Sequence, residues 1–190
     1  MKITKGKIEL IIGPMYANKS TELIKIYNRY NIIQKNIIVI NHSINNRYGS
    51  NNITTHDKLM LDKCINLDKL SIIKKDYEDL YKKSEIIIIE ELQFFPDAFE
   101  FITNAADIDN KVIIGAGLSG DFNRKPFKNI MNLIPHAEKI TKLSALCKYC
   151  CDGTTAHFSK LIQNDVKNGE QIIVGGVEKY EAVCRKHYLE

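Results

Sequence analysis

The chain has 190 residues, 44% of them hydrophobic, and a net charge of +4 with its lysines scattered rather than blocked. That length supports one principal domain with room for a modest extra module. The composition gives no window near ~18 uninterrupted apolar residues, which argues against a membrane span, and no concentrated basic patch of the kind nucleic-acid binding uses. Met1 to Gly6 carries no apolar stretch of signal-peptide length, so a cytoplasmic protein is expected.

Ile8 to Ile12 is an apolar run that reads as a strand. Gly13-Pro14-Met15-Tyr16-Ala17-Asn18-Lys19-Ser20-Thr21 follows it directly. This is nearly a phosphate-binding loop, G-x-x-x-x-G-K-[ST], with Asn18 in place of the second glycine. Ser20 to Tyr30 carries Leu23, Ile24, Ile26 and Tyr27 at helical spacing. Asn36 to Ile40 reads as a second strand, and Asn41 to Asn52, rich in Asn, Ser and Gly, as a loop. Asp76 to Lys83 reads as a helix. Glu85 to Ile89, with four isoleucines in a row, has the pattern of a strand covered on both faces. Asp97 to Ala106 reads as a helix and Lys111 to Gly115 as another buried strand. The reading is an α/β domain around a parallel sheet over residues 1–143, followed by a different module over 144–190.

Strand, loop and helix in that order aim backbone N–H groups and a helix N-terminus at one point, which favours anions. Lys19 would reach the outer phosphates and the Ser20 hydroxyl would face a magnesium ion. Ligands gather at the carboxyl ends of strands in such sheets. The segments there are Gly13–Ser20, Glu90–Gln93 and Ala116–Asp121. Glu90 and Glu91 follow the isoleucines. One carboxylate can help hold magnesium while its neighbour takes a proton from an attacking hydroxyl. Two solvated glutamates at a strand end are the plain alternative. Four of the five cysteines lie after residue 146. Cys147-x-x-Cys150 and Cys184-x-x-His187 form a four-ligand tetrahedral set, closed and therefore structural if it holds zinc. Cys151 is off the spacing and reads as a spare thiol; Cys64 reads as a small packed hydrophobe.

Taken together, these segments resemble the type II thymidine kinases, in the animal and poxviral branch. The resemblance rests on Gly13 to Leu23, on Glu91-Leu-Gln-Phe-Phe-Pro-Asp97, on Arg124-Lys-Pro-Phe127 with Asn132-Leu-Ile-Pro135, and on Lys142-Leu143. It continues through the Cys-x-x-Cys pair, Phe158-Ser-Lys160, Gly175-Gly176, Lys179-Tyr180 and the final Cys-x-x-His. It implies a P-loop fold with a C-terminal zinc-ribbon and lasso-like lid. The implied reaction moves the γ-phosphoryl of ATP to the 5′-hydroxyl of thymidine, giving dTMP, with Mg2+ beside ATP and a structural Zn2+. Glu91 matches the family's base, and Lys19 and Arg47 its catalytic cations. Gly13 to Ser20, Asn45, Asn46, Arg47, Glu90 and Gln93 match the ATP and magnesium site. Met15, Phe94, Leu118, Phe122, Phe127 and Tyr180 would line the nucleoside pocket, with Gln171, Ile172, Ile173, Val174 and Gly175 reading the base from the lid. A homotetramer, feedback inhibition by dTTP, and no nucleic-acid or membrane partner are further implications.

Three positions depart from that pattern: Asn18 for glycine, Asn45 for aspartate, and Glu90 for aspartate. They predict weakened magnesium binding or turnover, because phosphoryl transfer depends on positioning. They leave open a catalytically weakened nucleotide-binding regulatory module. A zinc-ribbon nucleic-acid binder is a third class, opposed by the acidic residues interleaved in the tail.

Overall fold

The computed structural model describes residues 5–44, 52–54, 60–62, 64–162 and 179–190. In chain order, β1 (Lys7–Ile12) leads into α1 (Lys19–Ile32) and β2 (Ile37–His42). A small pair, β3 (Asn52–Thr54) and β4 (Met60–Asp62), precedes β5 (Ile65–Leu67), α2 (Ile72–Asp76) and α3 (Glu78–Lys83). Then come β6 (Ile86–Ile89), α4 (Ala98–Asp107), β7 (Val112–Gly117), α5 (Lys128–Met131) and β8 (Lys139–Lys142). The tail holds β9 (Ala145–Leu146), β10 (Thr155–Ala156), β11 (Phe158–Leu161), β12 (Tyr180–Val183) and α6 (Arg185–Leu189).

Six strands form one sheet in the order β5-β2-β6-β7-β1-β8, and every pairing in it is parallel. The α/β parallel-sheet expectation holds. The isoleucine run shows why. Ile86, Ile87, Ile88 and Ile89 are all 0% exposed. Successive side chains of a strand point to opposite faces. Ile87 and Ile89 therefore join Leu10, Ile38, Phe95 and Ile102 on one face, while Ile86 and Ile88 meet Leu23, Ile24 and Ile114 on the other.

The structure differs from the sequence reading at several places. The helix expected over Asp76–Lys83 is α3, which starts only at Glu78, and a further short helix, α2, precedes it; the two are broken at Tyr77, whose φ of −129° is not helical. The helix expected over Asp97–Ala106 runs from Ala98, because Asp97 instead turns its carboxylate to the Leu70 and Ser71 amides at 3.0 and 2.8 Å. Two strands absent from the sequence reading, β5 beside β2 and β8 beside β1, form the two edges of the sheet.

The sheet's last strand ends at Lys142. Beyond it, the described residues hold two two-stranded pairs, β9 with β10 and β11 with β12, and the short helix α6. Their small core gathers Ala145, Cys147, Ala156, Ala182, Val183 and Cys184, and Ala17 from the loop after β1 packs into it. The tail is thus packed directly onto that loop.

Candidate active site

The strand order places β6, β7 and β1 side by side. Their carboxyl-end segments, which start at Glu90, Leu118 and Gly13, therefore share one edge of the sheet. Gly13 is glycine for lack of room: a Cβ there would stand 2.7 Å from the Leu143 carbonyl oxygen. Asn18 sits in the left-handed region at φ 59°, ψ 31°, immediately before α1. That is the backbone conformation a glycine would supply most easily, and Asn is among the side chains that tolerate it best. Tyr16 is left-handed as well, at φ 63°.

Lys19 turns its ammonium onto the Pro14 carbonyl at 2.8 Å. Burial lowers its pKa, with Glu91 and Glu90 pulling the other way. Ser20 donates its hydroxyl to Glu90 Oε1 at 2.7 Å. Glu90 is only 4% exposed, and its Oε2 is buried without a partner. Burial, then the neighbouring Glu91, pushes its carboxyl up to about 8 against the opposing pull of Ser20 and Lys19. A buried carboxylate with a vacant oxygen beside a serine hydroxyl is a hard-oxygen donor set of the kind magnesium takes. Glu91 has a left-handed backbone, φ 54° and ψ 41°. Its Oε2 accepts from Gln93 Nε2 at 2.6 Å, and Gln93 Oε1 accepts from the Leu118 amide at 3.0 Å.

The aromatic residues divide. Phe122 and Tyr180 approach with ring centroids 6.4 Å apart. Tyr188 donates its hydroxyl to the Phe122 carbonyl at 2.8 Å, which pins that loop to α6. Phe127 is buried at the start of α5. Phe94 instead meets His42 edge-on at 5.6 Å. A cavity of about 380 Å³ beside the loop is lined by Pro14, Ser119, Asp121, Lys142, Phe158 and Arg185 among others, and, among the described residues, by none of those expected around a nucleoside. Asn45, Asn46 and Arg47, and the lid residues Gln171 to Gly175, lie outside the described residues.

Sequence reasoning missed three contacts here, those of Ser159 with Met15, of Tyr16 with Tyr180, and of His42 with Phe94 and Phe95. Ser159 accepts the Met15 amide at 3.0 Å, and Tyr16 donates its hydroxyl to the Tyr180 carbonyl at 3.1 Å, so the tail holds the loop at two points. His42 ends β2 against Phe94 and Phe95, and burial lowers its pKa. A histidine closing a buried strand was the one signal available for it.

Cys147, Cys150, Cys184 and His187 bring their ligand atoms within 4.8 Å of one another. His187 Nδ1 stands 3.4, 3.4 and 3.3 Å from the three sulfurs, and the Cys150 and Cys184 sulfurs are 3.8 Å apart. A zinc tetrahedron with ordinary bond lengths has S–S edges of about 3.8 Å and S–N edges of about 3.5 Å. The cluster is therefore compatible with a structural zinc. The imidazole's other nitrogen, Nε2, lies 3.8 Å from a Glu190 carboxylate oxygen, beyond hydrogen-bond distance. Cys151 is exposed and outside the cluster, and Cys64 is buried, as read from the sequence.

A family model for thymidine kinase matches residues 6–188. The chain belongs to the thymidine kinase family. A thymidine kinase of Myxoma virus (strain Uriarra) is 44% identical over 189 residues, covering 100% of this chain and 99% of its own. Thymidine kinases of Variola virus (isolate Human/India/Ind3/1967) and Vaccinia virus (strain Western Reserve) are each 42% identical, covering 97% of this chain and 98% of their own. A solved Bacteroides Pif1 bound to ssDNA is 16% identical with a TM-score of 0.37, over 74% of this chain and 39% of that one. As a thymidine kinase family member the chain is a nucleotide-dependent kinase. No helix among its described residues is long and apolar enough to cross a membrane.

Proposed function

We propose that this thymidine kinase family member transfers the γ-phosphoryl of ATP to the 5′-hydroxyl of thymidine, releasing ADP and dTMP. The observation that carries the reading is the approach of three groups at one sheet edge. Lys19 and the Gly13–Ser20 loop supply a cationic, N–H-lined seat for phosphates. Ser20 and Glu90 supply oxygens for a magnesium ion, which would screen the phosphate charge when bound. Glu91 supplies a base. The nucleoside hydroxyl gives its proton to Glu91 as its oxygen meets the γ-phosphorus, and ADP leaves. In-line positioning and electrostatic support do most of the work in such transfers.

Phe122 and Tyr180, with Leu118, Met15, Phe94 and Phe127, are proposed to enclose a flat pyrimidine. Arg47 is proposed as a second catalytic cation, and Asn45 and Asn46 as its neighbours in the ATP site. Gln171 to Gly175 are proposed to read the base. The division at about residue 143, a homotetramer, inhibition by dTTP and a cytoplasmic location belong to the same proposal and are carried by family membership.

The test is thymidine phosphorylation by the wild type beside Glu91→Gln, with melting temperature and zinc content measured in parallel. Turnover in the wild type and its loss in a folded, zinc-loaded variant supports the reading. Undiminished turnover in Glu91→Gln overturns the assignment of the base.

A further inference from the structure

Gln93 was expected among residues that touch the nucleotide or its metal, and its surroundings fit another role. The side chain is 3% exposed, and both ends of its amide are engaged. Leu118 decides which way the amide faces. A backbone N–H can be met only by the carbonyl oxygen, so the NH2 end is turned to the Glu91 carboxylate. Gly117 keeps the seat open. A Cβ at that position would stand 2.5 Å from Gln93 Oε1 and 2.6 Å from Ile130 Cδ1. Glu91 also needs a restraint, since its left-handed backbone is disfavoured for any residue with a Cβ.

We propose that Gln93 is a positioning residue for phosphoryl transfer. It occupies Glu91 Oε2 and so leaves Oε1 as the oxygen that receives the 5′-hydroxyl proton. It also ties that carboxylate to the backbone at Leu118, on the wall proposed for the nucleoside. In the step itself the proton passes from the 5′-oxygen to Oε1, the new O–P bond forms, and the bond from the γ-phosphorus to the bridging oxygen breaks with its electrons on ADP. Gln93 exchanges no proton and touches no substrate. One hydrogen bond at each end fixes the amide between the Glu91 carboxylate and the Leu118 backbone. The inference rests on the reading of Glu91 as base.

Two substitutions separate positioning from bulk structure. Gln93→Met keeps the volume and removes the amide. Gln93→Glu keeps an acceptor for the Leu118 amide and sets a second carboxylate against Glu91. At neutral pH the two repel, and at lower pH a shared proton rebuilds the bridge in the same place. The expected result for Gln93→Met is a kcat lowered about 10- to 100-fold, the scale of a small misplacement of a reacting group, with KM for ATP unchanged. In Gln93→Glu, kcat relative to Gln93→Met should climb as pH falls. Wild-type kcat in Gln93→Met, or KM for ATP rising in step with the loss, overturns the proposal. So does a pH dependence common to both variants. If Gln93→Met does not fold, kcat of Gln93→Glu relative to the wild type decides: a ratio that climbs as pH falls supports the proposal, and a flat ratio overturns it. Glu91→Gln is run beside them. Full turnover there removes the base reading itself. An inactive Glu91→Gln beside a fully active Gln93→Met removes only the positioning role.

Discussion

The Met15 amide donates to the Ser159 hydroxyl at 3.0 Å, joining residues 144 apart in the chain. One N–H of the phosphate loop is thereby held by the tail, and the Tyr16 hydroxyl on the Tyr180 carbonyl adds a second tie. Ser159→Ala should leave the Met15 amide facing a methyl group. An orphaned buried donor costs about 1–3 kcal/mol, so a melting temperature lower by roughly 2–8 °C is expected. KM for ATP should rise several-fold, with kcat changed less. An unaltered KM in steady-state assays would show that the loop keeps its shape without the tie.

Glu90 sets a pH response. Its carboxyl is pushed up to about 8 from an ordinary 4.5. The folded chain therefore holds a proton there that the unfolded chain releases above about 4.5. Stability contributed by this group is present below that pH and is lost as pH rises toward about 8. Glu90→Gln keeps an acceptor for Ser20 without the charge. The melting temperature of the variant minus that of the wild type, measured without divalent ions, should grow from pH 5 to pH 8 and then level. A flat difference would mean the group titrates normally.

Magnesium should reverse that cost by giving Oε2 a partner. Glu90→Asp withdraws the carboxylate by about one C–C bond, which matters where positioning controls rate. The prediction is a shifted midpoint in activity against magnesium concentration relative to the native chain. Superimposable curves would reject a metal role for Glu90.

Asn18 is the outcome of a backbone demand. Its φ is 59°, a region that costs an ordinary L-residue about 1–2 kcal/mol. Asn18→Ala should destabilise by about 1 kcal/mol, while Asn18→Gly should stay near neutral, since relief of strain and added freedom in the unfolded chain oppose each other. Denaturant midpoints at constant slope measure both.

Zinc removal should reach the phosphate loop. Cys147 and Cys184 share a small core with Ala17. Chelation, or His187→Ala, should lower zinc content, melting temperature and ATP affinity together. Metal loss with unchanged ATP affinity would break the link.

The sheet was legible because burial on both faces leaves a plain mark, as in the run from Ile86 to Ile89. The loop from Gly13 to Ser20 was legible because anion binding constrains spacing, and the Cys/His set because tetrahedral ligation does. β8 was not legible. Its sequence, Lys-Ile-Thr-Lys, lies at the sheet edge with Lys139 beside Glu9, so it carries polar side chains where a central strand would be apolar. The break at Tyr77 was hidden because local propensity continues across it. The contact of Ser159 with Met15, and the neighbours of Gln93 (a residue read as part of the ATP and magnesium site), were hidden for another reason. Their meaning comes from partners supplied by distant strands, and a hydroxyl or an amide carries no periodic signature. Phe94 was read with the nucleoside pocket, and its observed neighbour, His42, could not be named from spacing.

Ala17 and Val183 belong to the same close-packed patch, one from the turn that would grip the phosphates and one from the last strand of the tail. Interiors packed this tightly do not absorb an added methyl group without moving something. Enlarging Ala17 would push the turn against the tail strands it packs on. In this corner of the molecule, thermal robustness and the grip on the phosphate donor cannot be tuned apart.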